Sequence, residues 1–93
     1  MQSSELYNGS NIVKLYKLVN NRVEAIEFIA KRSSKLLHIC LKDLKLKKNV
    51  LIASIIRNSE GIIPSGMNQI KENDSVIVVT TGQILDDLND ILE

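Results

Sequence analysis

The apolar positions of this chain fall in short runs broken by turn residues, and the runs predict strands more than helices. Residues 12–19 (IVKLYKLV) and 23–30 (VEAIEFIA) flank Asn20–Asn21–Arg22, where asparagine tolerates the backbone angles of a hairpin turn. The spacing Ile12, Leu15, Tyr16, Val19 also fits a helix face. The β-branched and aromatic content, with the turn beside it, tips the reading to two strands. In the second run Glu24, Ile26, Phe28 and Ala30 share one face, and Val23, Ala25, Glu27 and Ile29 the other.

Residues 33–48 (SSKLLHICLKDLKLKK) place Leu37, Leu41 and Leu44 at i, i+4 and i+7, the spacing of a short helix or helical turn. Residues 50–56 (VLIASII) are the most apolar run and, at that length, predict a buried strand ended by Arg57. Asn58–Ser59–Glu60–Gly61 is a turn signal, Ile62 and Ile63 restart a strand, and Pro64–Ser65–Gly66 ends it. Residues 67–74 are a connector. Residues 75–80 (SVIVVT) predict another buried strand. With Thr80 or Thr81 as cap, Ile84, Leu85, Leu88, Ile91 and Leu92 then predict an amphipathic C-terminal helix with an acidic outer face. The connections are too short for parallel crossovers. The expected fold is a small α+β domain: a mixed, largely antiparallel sheet, a short middle helix, and a C-terminal helix covering the sheet. Residues 1–11, rich in Ser, Asn and Gly, read as a flexible lead-in, and 12–93 as one domain.

Composition narrows the function. The chain is 44% hydrophobic and 25% charged with a net charge of +1, so it folds. Its aromatics are Tyr7, Tyr16 and Phe28, too few for base-stacking platforms, which makes a nucleic-acid partner the weakest of the binding readings. The Lys42–Lys48 cluster reads first as a solvated face. Residues 1–57 carry eleven basic and four acidic side chains, a balance of +7; residues 58–93 carry one and seven, a balance of −6. Such opposed halves either attract between copies or mix within one fold.

The single cysteine, Cys40, excludes an internal disulfide and reads as a small buried hydrophobe. On a strand, His38 two residues away would share its face, but nothing else supports a catalytic pair. There is no GxGxxG, Walker loop, GxSxG or HExxH. Glu24 and Glu27 would point to opposite faces of a strand, which defeats a carboxylate dyad. One histidine and one cysteine make a poor metal set. No run reaches the ~18 apolar residues of a membrane span, and residues 1–11 lack a signal-peptide core. The chain is expected to be a cytoplasmic module that binds or assembles, without catalysis, cofactor or resident metal.

One combination of motifs is more specific. VEAIEF is followed by LKDLKL, NVLIASIIRN, IIPSG and IKENDSVIVVT. The core of the pattern is an apolar strand, Arg, a short turn, IIP-x-G, a spacer, then x-D-x-VIVV. Over roughly residues 15–81 this resembles the TrkA-C domain, the C-terminal domain of RCK subunits in bacterial Trk/Ktr-type potassium uptake. It departs from the family at His38 and Cys40, where Gly and Pro are frequent, and at Ser65 and Met67, where a charged residue and Asp are common.

The resemblance implies a regulatory domain that follows a Rossmann-type nucleotide-binding domain and controls a membrane potassium transporter subunit, held peripherally on the inner membrane face. It implies a homodimer, with cyclic di-AMP as a possible effector at the dimer interface. The matching positions are Ile55, Ile56, Arg57, Asn58, Ile62, Ile63 and Pro64. Arginine offers a planar fork to phosphate and the isoleucines offer apolar walls to bases. The competing reading puts the isoleucines in the core and pairs Arg57 with Glu60 or an acid of the C-terminal helix. A purely structural dimerisation module without ligand is the alternative function.

Overall fold

The structure is a computed structural model that describes residues 23–93 and, as strand backbone, 12–18. The lead-in and the Asn20–Asn21–Arg22 turn lie outside the described residues. Five strands form one sheet: β1 (Ile12–Leu18), β2 (Val23–Ile29), β3 (Val50–Arg57), β4 (Glu60–Ile62) and β5 (Ser75–Thr80). Their order is β1-β2-β5-β3-β4, and each neighbouring pair is antiparallel. The last strand of the chain therefore occupies the centre.

Strict alternation makes β5 a central strand: Val76, Val78 and Thr80 are buried, while Ser75, Ile77 and Val79 face the other side. On β2, Ile26 and Phe28 are buried beside them, in register with Val78 and Val76. The most apolar run, β3, is not buried throughout as its composition suggested. Ile52 and Ile55 enter the core, whereas Leu51 is 61% exposed. Those two isoleucines are three apart, a spacing that alternation alone would send to opposite faces. The register shift between Ile52 and Ser54 restores a common face: a bulge adds one residue there.

The two expected helices are instead 3-10 turns, Leu41–Asp43 and Leu88–Ile91. In the middle segment the backbone donors are taken from outside. The N–H groups of His38, Leu41 and Lys42 donate to the carbonyls of Ile70, Asn68 and Gly66, leaving no helical ladder to build. His38 also holds φ 65°, a left-handed angle that interrupts a helix. At the C-terminus, Asp87 is extended and accepts from the Asn89 N–H, and Asp90 completes a capping box. Short polar side chains that bind nearby backbone compete with helix formation, and this segment is dense in them. Bonds from Lys47 N–H to Ile91 O and from Glu93 N–H to Lys45 O then lay the segment along residues 45–47. The apolar spacing still serves burial: Leu85, Leu88 and Ile91 cover the sheet with Leu36 and Ile70. The same pairing places Glu93, an acid of the second half, beside Lys45, a base of the first.

The β3–β4 hairpin closes with two residues, Asn58 (φ 53°) and Ser59 (φ 65°), between the paired Arg57 and Glu60. Both angles are positive, the signature of a type I′ turn, which favours Asn-Gly. Ser59→Gly is therefore expected to stabilise the fold by about 0.5–1 kcal/mol, a rise of a few degrees in Tm. A fall in Tm would rule out a left-handed turn at this position.

Candidate functional site

Register brings the Arg57 segment into a defined place. Ile55 pairs with Ile62, Ile56 with Gly61, and Arg57 with Glu60, so all the candidate residues lie on one hairpin and its exit. They do not present a uniform surface. Ile55 is wholly buried in the core, Ile62 packs against that core, and Ile56 sits half-buried. Asn58 is exposed at the turn, Ile63 is 91% exposed, and Pro64 is half-buried just beyond.

Arg57 is held neither by Glu60 nor by an acid of the C-terminal segment. Its partner is Asp74. Pairing of Ile56 with Ser75 sets the end of β3 beside the start of β5 and so brings the two side chains together. Arg57 Nε donates to Asp74 Oδ1 at 2.9 Å, and Nη2 donates to Oδ2 at 2.7 Å and to the Gln69 carbonyl at 2.9 Å. This is the planar two-point match of guanidinium and carboxylate. Three of the five N–H groups of an arginine are thereby used. The two on Nη1 make no bond within the described residues, and the side chain keeps 29% exposure.

Asp74 is buried, at 2% exposure. Besides Arg57 it accepts from the Lys71 N–H at 2.9 Å, which closes the turn at 71–74. Its own backbone carbonyl accepts from the Ala30 N–H at the end of β2. Burial alone pushes the Asp74 carboxyl up. The bonds from Arg57 and the Lys71 N–H, with the attraction of both cations, outweigh that and hold it below the usual carboxylate range. The Asp74 bond in turn raises Arg57 above its ordinary value.

Asp74 is the residue that sequence reasoning passed over. Its signal was present, since the Arg and the Asp of the apolar strand–Arg…x-D-x-VIVV pattern are the two ends of this pair. Pattern alone does not state that two of its letters touch. Cys40 and His38 do not form a reactive pair: His38 is exposed and left-handed, while Cys40 is half-buried with Gln69 Nε2 at 3.8 Å from its Sγ. Among the described residues no three His, Cys, Asp or Glu side chains group to hold a metal, and no helix is long and apolar enough to cross a membrane.

This geometry sits in a recognised type of domain. The TrkA-C domain family matches residues 25–93, and the chain belongs to that family. It is 25% identical over 88 residues to the Trk system potassium uptake protein TrkA homolog 2 of Methanosarcina mazei, covering 95% of this chain and 20% of that protein. It is 26% identical over 88 residues to TrkA homolog 1 of the same organism, covering 95% and 22%. The chain thus spans about a fifth of the length of these relatives. A solved structure described as "Structure of RCK domain with cda" superposes with a TM-score of 0.57 at 28% identity, over 77% of this chain and 99% of that one.

Proposed function

We propose that this domain is the regulatory end of a potassium-transport gating subunit. It self-associates and takes cyclic di-AMP on the Arg57–Pro64 hairpin, while a Rossmann-type domain and a membrane transporter subunit are its functional partners. The observation that carries the reading is the state of Arg57. Asp74 and the Gln69 carbonyl fix its guanidinium, yet the Nη1 edge stays unbonded among the described residues. A cation fixed before the ligand arrives gives up less freedom on binding phosphate than a free side chain does. On the same hairpin Ile63, 91% exposed, and Pro64 supply apolar surface for a base. A two-fold ligand suits an interface between two copies. Family membership and the likeness to the RCK structure support the same reading. Binding would act on transport only through a difference in affinity between two arrangements of the assembly.

Arg57→Ala is a poor test, because it also breaks the buried pair. Ile63→Ala is a clean one, since an exposed side chain contributes little to folding. Calorimetric titration with cyclic di-AMP is expected to give saturable heat at one ligand per two chains. Ile63→Ala should weaken it by about tenfold or more. A well-folded wild type that gives no heat would leave the ligand-free dimerisation module as the function.

A further inference from the structure

We propose that the uncovered face of the sheet docks one amphipathic helix with a lysine or arginine in its apolar stripe, carried by a neighbouring domain of the same polypeptide. Alternation puts Ala25, Glu27 and Ile29 of β2, and Ile77 and Val79 of β5, on the side away from the core. Register sets Ala25 beside Val79 and Glu27 beside Ile77. All five are half-buried. None joins the core cluster or the side chains packed against it, which seal the opposite side. The result is an apolar face over two adjoining strands, one of them the centre of the sheet. Apolar faces rimmed by polar residues are where partners bind.

Charge decides the chemistry of the partner. Glu27 is the one charged residue of the five, lies between Ala25 and Ile29 on its strand, and has no ion-pair partner among the described residues. A carboxylate covered by an apolar partner loses its hydration, so that partner must bring a cation to it. A second copy cannot: stacked about an axis through this patch, it would set two Glu27 carboxylates against each other. Residues 1–11 hold no lysine or arginine either. The size of the face decides the shape. β5 has six residues, about 20 Å of strand. A helix about 10–12 Å wide spans two to three strands at ~4.8 Å spacing and covers that length in about 13 residues. Such a contact buries roughly 500–800 Å² over both partners, short of the ~1,200 Å² that holds separate molecules together and near the range of interfaces between domains of one chain. The helix is therefore a tethered one. On this point alone the inference rests on the reading of the chain as one domain of a larger subunit.

The probe is a synthetic amphipathic helix of about 14 residues with one lysine in its leucine stripe, beside forms with glutamine or glutamate at that place. Each is titrated into the 93-residue chain and followed by amide chemical shifts. The lysine helix is expected to give saturable shifts centred on residues 25–29 and 75–79, with a Kd of about 0.1–10 mM. The glutamine and glutamate forms should bind at least about threefold more weakly, and Glu27→Gln should erase that preference. Ile77→Thr keeps a β-branched side chain and so the strand, and should weaken the lysine helix by about threefold. Shifts that do not saturate, or that centre elsewhere, would overturn the face. Equal binding of the lysine and glutamine forms would overturn the basic partner. A Kd tighter than about 100 μM would overturn the tether, since the helix would then need none. Sedimentation covers the remaining occupant: a dimer of this chain that Ile77→Lys dissociates would give the face to a second copy. The five residues lie outside the Arg57–Pro64 hairpin, so a failure here and a failure of the cyclic di-AMP titration are separate results.

Discussion

Arg57→Ala is expected to destabilise the domain by about 3–5 kcal/mol, because it strands the buried Asp74 carboxylate without its fork. For a domain with ~5–14 kcal/mol in total, that is a large share. Urea unfolding measures it directly. The joint replacement Arg57→Met with Asp74→Leu should recover much of the loss, since it removes the charge together with its partner. A loss below about 1 kcal/mol for Arg57→Ala would show that Asp74 finds another donor or opens to water. The pair also sets an acid limit. In the unfolded chain an aspartate binds its proton near pH ~4. In the fold Asp74 binds it only at lower pH. Its contribution is therefore complete above about pH 4 and is lost as pH falls through the folded value. The urea midpoint of the wild type should fall on acidification, and the Met–Leu double variant should lose part of that slope.

Two apolar residues of one strand are expected to behave as opposites. Ile55→Ala should cost about 2–5 kcal/mol, through lost burial and the cavity left in the core. Leu51→Ala, four residues away and 61% exposed, should stay within about 0.5 kcal/mol. Tm and urea midpoints of the two variants, measured side by side, decide it. Equal losses would mean that β3 is covered on both faces.

That contrast shows where the sequence could be read and where it could not. The strands were legible because β-branched alternation and turn residues are local signals; Ser75–Thr80 follows from its own letters, whereas the turn expected over Asn58–Gly61 is confined to Asn58–Ser59 and β4 starts at Glu60 and ends at Ile62 instead of running through Ile62 and Ile63. The two faces of β3 were not, because a single inserted residue at Ala53 resets the alternation and nothing in VLIASII marks it. The C-terminal helix failed for a related reason. Leu85, Leu88 and Ile91 announced burial correctly, but the backbone geometry was decided by the Asp87–Asp90 capping box and by pairing with residues 45–47, distant in the chain. Of the candidate site, Arg57 stood out in the sequence, whereas its partner depended on the register of β3 against β5. His38, one of the positions at which the sequence departs from the pattern it resembles, adopts a left-handed angle that no local letter announced.

The central place of β5 bears on how the chain folds. The hairpins β1–β2 and β3–β4 can each zip locally, yet neither touches the other in the sheet until Ser75–Thr80 slides between them. The join must close long stretches of chain before its contacts stabilise anything, which places this domain among slow folders for its size. Until residue 80 has left the ribosome, the nascent protein has two half-sheets with open edges and no shared core, and those edges are what its cell must shield.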